Sequence, residues 1–376
     1  MRVGHFVFGF LTPNFIAADG GYMLRRGLHR ELDAQGHEIV WLASLRPAEQ
    51  KYIDAANLKD VAKKDWSYNT VSIEDQGWKH FLSARQNFGK YEKYADKTNR
   101  WFKAEMQDKS AKWPDVDFVI SDILSMGLFK YQLMSMISYY TNKHTPVFIW
   151  DKDCWGQQVY GLVNNHNDVY KVNKKYLYFL TPYSKQRFAN QITMYYGYDR
   201  HEEMKGLATG AEANFVYVGN DYKRGPAMIR MYKDLSCSIY GNYSKDKEGI
   251  IPILGAYKFK GPVAPKDIVP TIHRHFACIN VTRTPYANVG LHTSRLNETS
   301  YAGAICFIDS KIRDAEKFTL ADQVVSNGAE ADDKLEDILK HHEMPERVKR
   351  QREMLPTYKS QLPRVFEIVE KLRRGR

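Results

Sequence analysis

The chain has 376 residues, of which 43% are hydrophobic and 26% charged, and 55 Lys and Arg outweigh 44 Asp and Glu for a net charge of +11. That length exceeds one ordinary core and suits two domains, and the composition excludes disordered, collagenous and disulfide-scaffold chains. The positive surplus suits a polyanionic partner, nucleic acid or an anionic surface, and equally suits a basic soluble enzyme.

The four cysteines, Cys154, Cys237, Cys278 and Cys306, form no CxxC pair. This reads as reduced thiols in a cytoplasmic compartment, not a disulfide framework or a zinc site. No apolar run is long enough to cross a bilayer. The opening "MRVGHFVFGFLTPN" has the wrong flanks for a signal peptide and reads as a first buried strand.

In chain order, "RVGHFVFGF" is followed by a loop containing Gly20 and Gly21. A helix with Leu24, Leu28 and Leu32 four apart comes next, ended by Gly36. "HEIVWLAS" is the next strand, making a β–Gly-loop–α–β unit, the half-unit of a doubly wound sheet. "DFVIS" (117–121), "PVFIW" (146–150) and "YLYFLT" (176–181) read as further strands. Residues 45–115 form a polar, basic and aromatic insertion, and from Lys79 to Lys112 it carries nine Lys/Arg against four Asp/Glu. It reads either as a helical cap with solvated lysines or as a nucleic-acid surface. In the second case Lys90, Lys93, Lys97, Arg100 and Lys103 would meet phosphates, and Trp101 an unstacked base.

The pattern restarts near residue 215. "NFVYVGN" runs into a glycine turn, and "RGPAMIRMYKDL" is a helix with Pro226 in its first turn. "SCSIYGN", "AYKFKG", "FACINVTR" and "GAICFID" are strands, and "APKDIVPTIHRH" begins a helix. The expected organisation is an α/β chain of two Rossmann-like, doubly wound domains facing across a cleft. The boundaries are 1–204 with the insertion, 205–342 for a nucleotide-binding domain, and 343–376 for a helical end folding back over the first.

Three constellations could carry chemistry. The turn "YVGNDYKRG" puts Gly219 and Asn220 at a strand end, with Lys223 and Arg224 at a helix start that favours phosphate. It lacks the GxGxxG and Walker spacings, so it also reads as an ordinary strand–helix turn. In "GLHTSRLNETSYAGAICFID", Arg295 and Glu298 lie three apart, one helical face. The cation could meet a diphosphate and the carboxylate two ribose hydroxyls; the plainer reading is a surface ion pair. In "VFIWDKDCW", Asp151 and Asp153 leave the carboxyl end of a buried strand, where one could act as general base or cap the following turn. His273, His275, His341 and His342 lack a third ligand at metal spacing and read as packed or solvated.

Taken together, "VYVGN", "SIYGN", "FKGPVAPKDIV" and the Arg-x-x-Glu of "SRLNE", in that order, resemble the DNA glucosyltransferases of tailed bacteriophages. The strongest match covers roughly residues 215–310. The resemblance implies a GT-B fold and a UDP-sugar donor, with UDP-glucose first. It implies that Arg295 and Glu298 hold the diphosphate and ribose, that Lys223 and Arg224 after Gly219 and Asn220 hold the diphosphate, that Gly241, Gly20 and Gly21 also belong to the UDP-sugar site, and that Val263 lies against the uracil. The Gly20–Gly21 loop looks generically GT-B. The strand "VFIWDKD" looks like the family strand that ends in a catalytic aspartate, Asp153 by count from the strand start, with Asp151 the alternative. The implied acceptor is duplex DNA carrying 5-hydroxymethyl-pyrimidines, in the cytoplasm of an infected bacterial host. A divalent ion, Mg2+ or Mn2+, could assist release of the diphosphate, although no protein ligand set for one is legible. The expected form is a monomer with no membrane partner.

Overall fold

The computed structural model describes residues 1–6, 21–41, 113, 115–122, 126–152, 156–165, 167–219, 223–243, 246, 249–264 and 267–375. Among them are two six-stranded sheets in which all neighbouring strands run parallel. The first has the order β2-β1-β3-β4-β5-β6. Its strands are β1 Arg2–Phe6, β2 Glu38–Trp41, β3 Phe118–Asp122, β4 Val147–Trp150, β5 Leu177–Thr181 and β6 Gln191–Thr193. The second has the order β12-β11-β10-β7-β8-β9. Its strands are β7 Ala213–Val218, β8 Cys237–Tyr240, β9 Phe259–Gly261, β10 His275–Asn280, β11 Ile305–Asp309 and β12 Val324–Val325.

Parallel strands covered on both faces read as apolar runs that do not alternate, and the central strands here do so. Every residue of the VFIW and ICFID strands, β4 and β11, is buried. The helix Gly21–Ala34 buries Leu24, Leu28 and Leu32 on one stripe. It ends where Gly36 takes φ +73° and the His37 N–H reaches the Leu32 carbonyl at 3.0 Å.

The chain crosses between the two sheets twice. Residues 194–204 lead from the first to the second, and residues 355–357 lead back. The segments meet where Tyr198 N–H donates to the Pro356 carbonyl at 2.8 Å, and Gln361 exchanges hydrogen bonds with both backbone groups of Tyr195. The helix Met344–Met354 packs on the second core, and its Gln351 side chain accepts from Cys306 N–H at 2.9 Å. The helix Tyr358–Arg374 packs on the first. Leu362, Val365 and Val369 join Leu24, Leu28 and Leu32 in one cluster, and Arg373 pairs with Asp117 beside β3. Tyr358 is wedged against Gly27, Gly197 and the Trp150 ring, where a Cβ on Gly197 would strike the tyrosine.

Candidate active site

In a parallel sheet all the carboxyl ends lie on one edge, and ligands collect there where the strand order reverses. In the second sheet that point lies between β7 and β10. Gly219 follows β7, Gly241 follows β8 and Gly261 closes β9, so three glycines stand side by side on this edge. Gly219 N–H donates to the Tyr240 carbonyl at 2.8 Å, and Gly241 N–H to the Gly261 carbonyl at 2.9 Å. A Cβ at Gly241 would run into the Gly219 carbonyl oxygen, so this approach of two turns needs glycine. Lys223, exposed and in the left-handed region at φ +56°, and Arg224 at the start of the helix Gly225–Tyr232 follow the first turn. Val263, half-buried beyond β9, packs against the second core.

From β10 the chain passes through residues 281–294 into the helix Arg295–Tyr301, which therefore begins on the same edge. Among the buried polar atoms in this passage that make no hydrogen bond are Asn280 Nδ2, Thr282 Oγ1, both ring nitrogens of His292, Arg295 Nη1 and Glu298 Oε2. Arg295 and Glu298 touch as an ion pair, although the two atoms are not aligned as a hydrogen bond. Asn280 is held from its other end by the Thr293 hydroxyl at 3.1 Å. Glu298 is only 3% exposed. Such groups are costly to bury without partners, and each orphan calls for an explanation. Burial pushes the His292 imidazole down to about 3, against a small opposing pull from Asp314, so the ring is neutral.

On the first sheet, Asp151 directly follows β4 and is fully buried. Its Oδ2 accepts from the Tyr183 hydroxyl at 2.7 Å, and its backbone N–H reaches the Leu180 carbonyl at 2.8 Å. Gly156 begins the next helix so close to that carboxylate that a Cβ would collide with it. The next residue, Lys152, is buried too, its ammonium 5.2 Å from the Trp150 ring centre, and its carbonyl accepts from the Tyr196 hydroxyl.

The two halves touch on the cleft side. The Tyr183 ring packs with Val289 and Leu291 of the β10–helix passage, and the Ser184 hydroxyl donates to Asp314 Oδ2 at 2.7 Å. That hydrogen bond, followed by Lys317, holds Asp314 below the usual carboxylate range. Asn297 Nδ2, between Arg295 and Glu298 in sequence, donates to the Tyr196 and Gly197 carbonyls at 3.2 Å each. A small pocket, lined by Tyr195, Tyr196, His292, Asn297, Phe318 and Pro356 among others, lies at this joint.

No protein-family model matches the chain, and no curated protein matches it. Solved structures do. T4 phage β-glucosyltransferase in complex with UDP-glucose aligns over 100% of this chain and 99% of its own, with a TM-score of 0.56 at 12% identity. The same T4 enzyme in complex with UDP and Mn2+ aligns with a TM-score of 0.53 at 12% identity, again over 100% and 99% of the two chains. TarM aligns over 98% of both chains with a TM-score of 0.59 at 9% identity. This chain has the GT-B fold. The architecture expected from the sequence, two Rossmann-like sheets, is the one observed.

Within this GT-B chain the structure brings Gly219, Gly241, Lys223, Arg224, Arg295 and Glu298 to one edge of the second sheet. Gly21 begins the first long helix of the first sheet. Gly20, Asn220, Asp153, Lys90, Lys93, Lys97, Arg100, Trp101 and Lys103 lie outside the described residues. Asn280, Thr282, His292 and Asn297 stand at no spacing that marks a catalytic or binding motif, although His292 lies three residues before Arg295. Tyr183 and Tyr196 carry no motif and become visible only when the sheets are placed. His273 and His275 each hydrogen-bond a backbone carbonyl, so both are packed histidines. Among the described residues no three His, Cys, Asp or Glu side chains converge as a metal site, and no helix is long and apolar enough to cross a membrane.

Proposed function

We propose that this protein is a glycosyltransferase that moves a sugar from a UDP-sugar to the hydroxyl of a 5-hydroxymethyl-pyrimidine in duplex DNA. The observation that carries the donor half is the group of buried polar side chains at the reversal point of the second sheet: the Arg295–Glu298 ion pair beside Asn280, Thr282 and His292 atoms that make no hydrogen bond. Its chemistry suits a nucleoside diphosphate: a guanidinium for phosphate oxygens, a carboxylate for vicinal ribose hydroxyls, and amide, hydroxyl and imidazole groups able to donate. Lys223 and Arg224 add charge at the neighbouring turn, and Val263 offers an apolar contact to the base. T4 phage β-glucosyltransferase, which shares the fold, was solved with UDP-glucose, and this favours UDP-glucose as donor.

In this reading Asp153 is the general base and Asp151 the alternative. The aspartate takes the proton of the acceptor hydroxyl, whose oxygen attacks the anomeric carbon from the face opposite UDP. The new glycosidic bond forms as the bond to the diphosphate breaks, and UDP leaves with the electron pair. Arg295, Lys223 and Arg224 stabilise the charge that builds on the diphosphate. A single displacement inverts the anomeric configuration. The acceptor base must leave the stack to reach the cleft, at a cost of about a few kcal/mol. The described residues hold no ligand set that fits Mg2+ or Mn2+, and no step here uses one.

The test is transfer of label from a panel of radiolabelled UDP-sugars to duplex DNA with and without 5-hydroxymethyl-pyrimidines. Label entering only the hydroxymethylated duplex is the expected outcome. Asp153→Asn should then lower kcat by about a hundredfold or more while UDP affinity survives. Donor hydrolysis with unlabelled DNA would overturn the acceptor and move a glycan or small-molecule acceptor to the front. DNA binding without UDP binding would overturn the donor site itself.

A further inference from the structure

We propose that Tyr183 and Tyr196 are positioning residues that tie the donor half of the cleft to the Asp151–Lys152 segment of the acceptor half. This rests on the donor reading above. The two tyrosines grip consecutive residues at the end of β4. Tyr183 donates its hydroxyl to the Asp151 carboxylate at 2.7 Å, and Tyr196 donates to the Lys152 carbonyl. Each is also engaged by the passage from β10 through Glu298. The Tyr183 ring, fully buried, packs with Val289 and Leu291. The Tyr196 carbonyl accepts from Asn297, which lies between Arg295 and Glu298. One end of each strut thus follows the segment bearing the proposed ribose and diphosphate ligands, and the other fixes the segment bearing the acceptor-side carboxylate.

The tyrosines are themselves held. The Tyr183 carbonyl accepts from the hydroxyls of Thr181 and Thr193 at 3.1 and 3.4 Å, and the next residue, Ser184, reaches Asp314 across the cleft. Tyr196 lies in the first crossing segment, against Leu355 and Pro356 of the second, around the pocket that His292 lines. Packed interfaces of this kind change between discrete arrangements and do not deform continuously. Nucleotide seated against Arg295 and Glu298 therefore biases the struts, and through them the Asp151–Lys152 segment. A hydrogen bond of 2.7 Å between two fully buried side chains also fixes the rotamer of each.

The experiment uses the full-length protein and the variants Tyr183→Phe and Tyr196→Phe. Each removes one hydroxyl and keeps the ring, and thermal unfolding with and without UDP checks folding. Calorimetry first measures UDP binding to the wild type, and no binding there would remove the donor reading and this coupling with it. Given binding, hydrogen exchange is read with and without UDP. The expected result is that UDP slows exchange of the 147–152 amides in the wild type. In both variants that slowing is lost while the UDP Kd stays within about twofold. With donor and acceptor supplied, kcat falls by about tenfold or more and the donor KM holds. The proposal is overturned if UDP binds the wild type without slowing those amides, if the variants keep the slowing, or if Kd, KM and melting temperature all shift together as in general loosening. Should Tyr196→Phe fail to fold, Asn297→Ser cuts that link from the donor side, and should Tyr183→Phe fail, Val289→Ala loosens its packing there, with the same two outcomes.

Discussion

His292 is a buried base kept neutral by its surroundings, with its ring 4.2 Å from that of Phe318 and no hydrogen bond at either nitrogen. Its ordinary value of 6.5 falls to about 3 in the fold. Between those values the unfolded chain holds a proton that the folded chain does not, so stability rises with pH across the window. The stability is complete above about pH 6.5 and drains away as pH falls toward 3. Burial lowers His275 in the same direction. Denaturant unfolding at pH 7 and pH 5 should therefore show a loss in the wild type, with His292 contributing about 2 kcal/mol of it. His292→Leu keeps an apolar filling and removes the proton site, so its loss over the same interval should be smaller by about that amount. Parallel losses in the two proteins would mean that the imidazole is not desolvated as described.

At the scale of elements, Gly241 makes the sharpest demand on the sequence. Its Cα faces the Gly219 carbonyl at the mouths of β7 and β8, and a methyl group there forces two strand ends apart. Gly241→Ala should cost about 2–4 kcal/mol and weaken UDP binding at the same time, because both proposed phosphate turns shift. Denaturant midpoints and calorimetry on one preparation check both; an unchanged midpoint would show that the turns can relax. The same elements explain what could be read beforehand. Strands such as VFIW and ICFID are continuous apolar runs because both faces are covered, and the Leu24–Leu28–Leu32 stripe has helical period. The three-residue QIT strand and the two-residue VV strand are too short to carry a period, and their pairing with β5 and β11 is set by tertiary position. The helix Met126–Asn142 is apolar on more than one side, so it has no clean stripe to find. Arg295 and Glu298 stood out because their spacing is local. Asp151 with Tyr183, and Asn297 with Tyr196, are partners 32 and 101 residues apart, which no local pattern announces.

At the scale of the whole molecule the question is where the net charge of +11 acts. The last 34 residues, 343–376, carry ten Lys/Arg and five Asp/Glu, yet several of those cations are committed inside the fold. Arg347 pairs with Asp322 and Glu343, Arg352 with Glu203, and Arg373 with Asp117. Cations bound in such pairs fix the C-terminal helices to the elements they pack on and are poor phosphate ligands. The segment 79–112, with nine Lys/Arg and four Asp/Glu, is then the better source of a DNA contact under the proposed acceptor. Counterion release gives this a slope: each phosphate neutralised contributes about −0.9 to the dependence of log K on log salt for B-DNA. Replacing Lys90, Lys93, Lys97, Arg100 and Lys103 together by alanine should flatten that slope by up to about 4.5 and weaken DNA binding at low salt. UDP affinity, which the proposed donor site assigns to the second sheet, should stay within about twofold of the wild type. Fluorescence anisotropy with a labelled duplex, titrated at several salt concentrations, measures the slope. If it is unchanged, the 79–112 segment is not the DNA contact and the search moves to the uncommitted cations of the C-terminal helices. If the wild type itself has a slope near zero, the polyanionic acceptor is refuted.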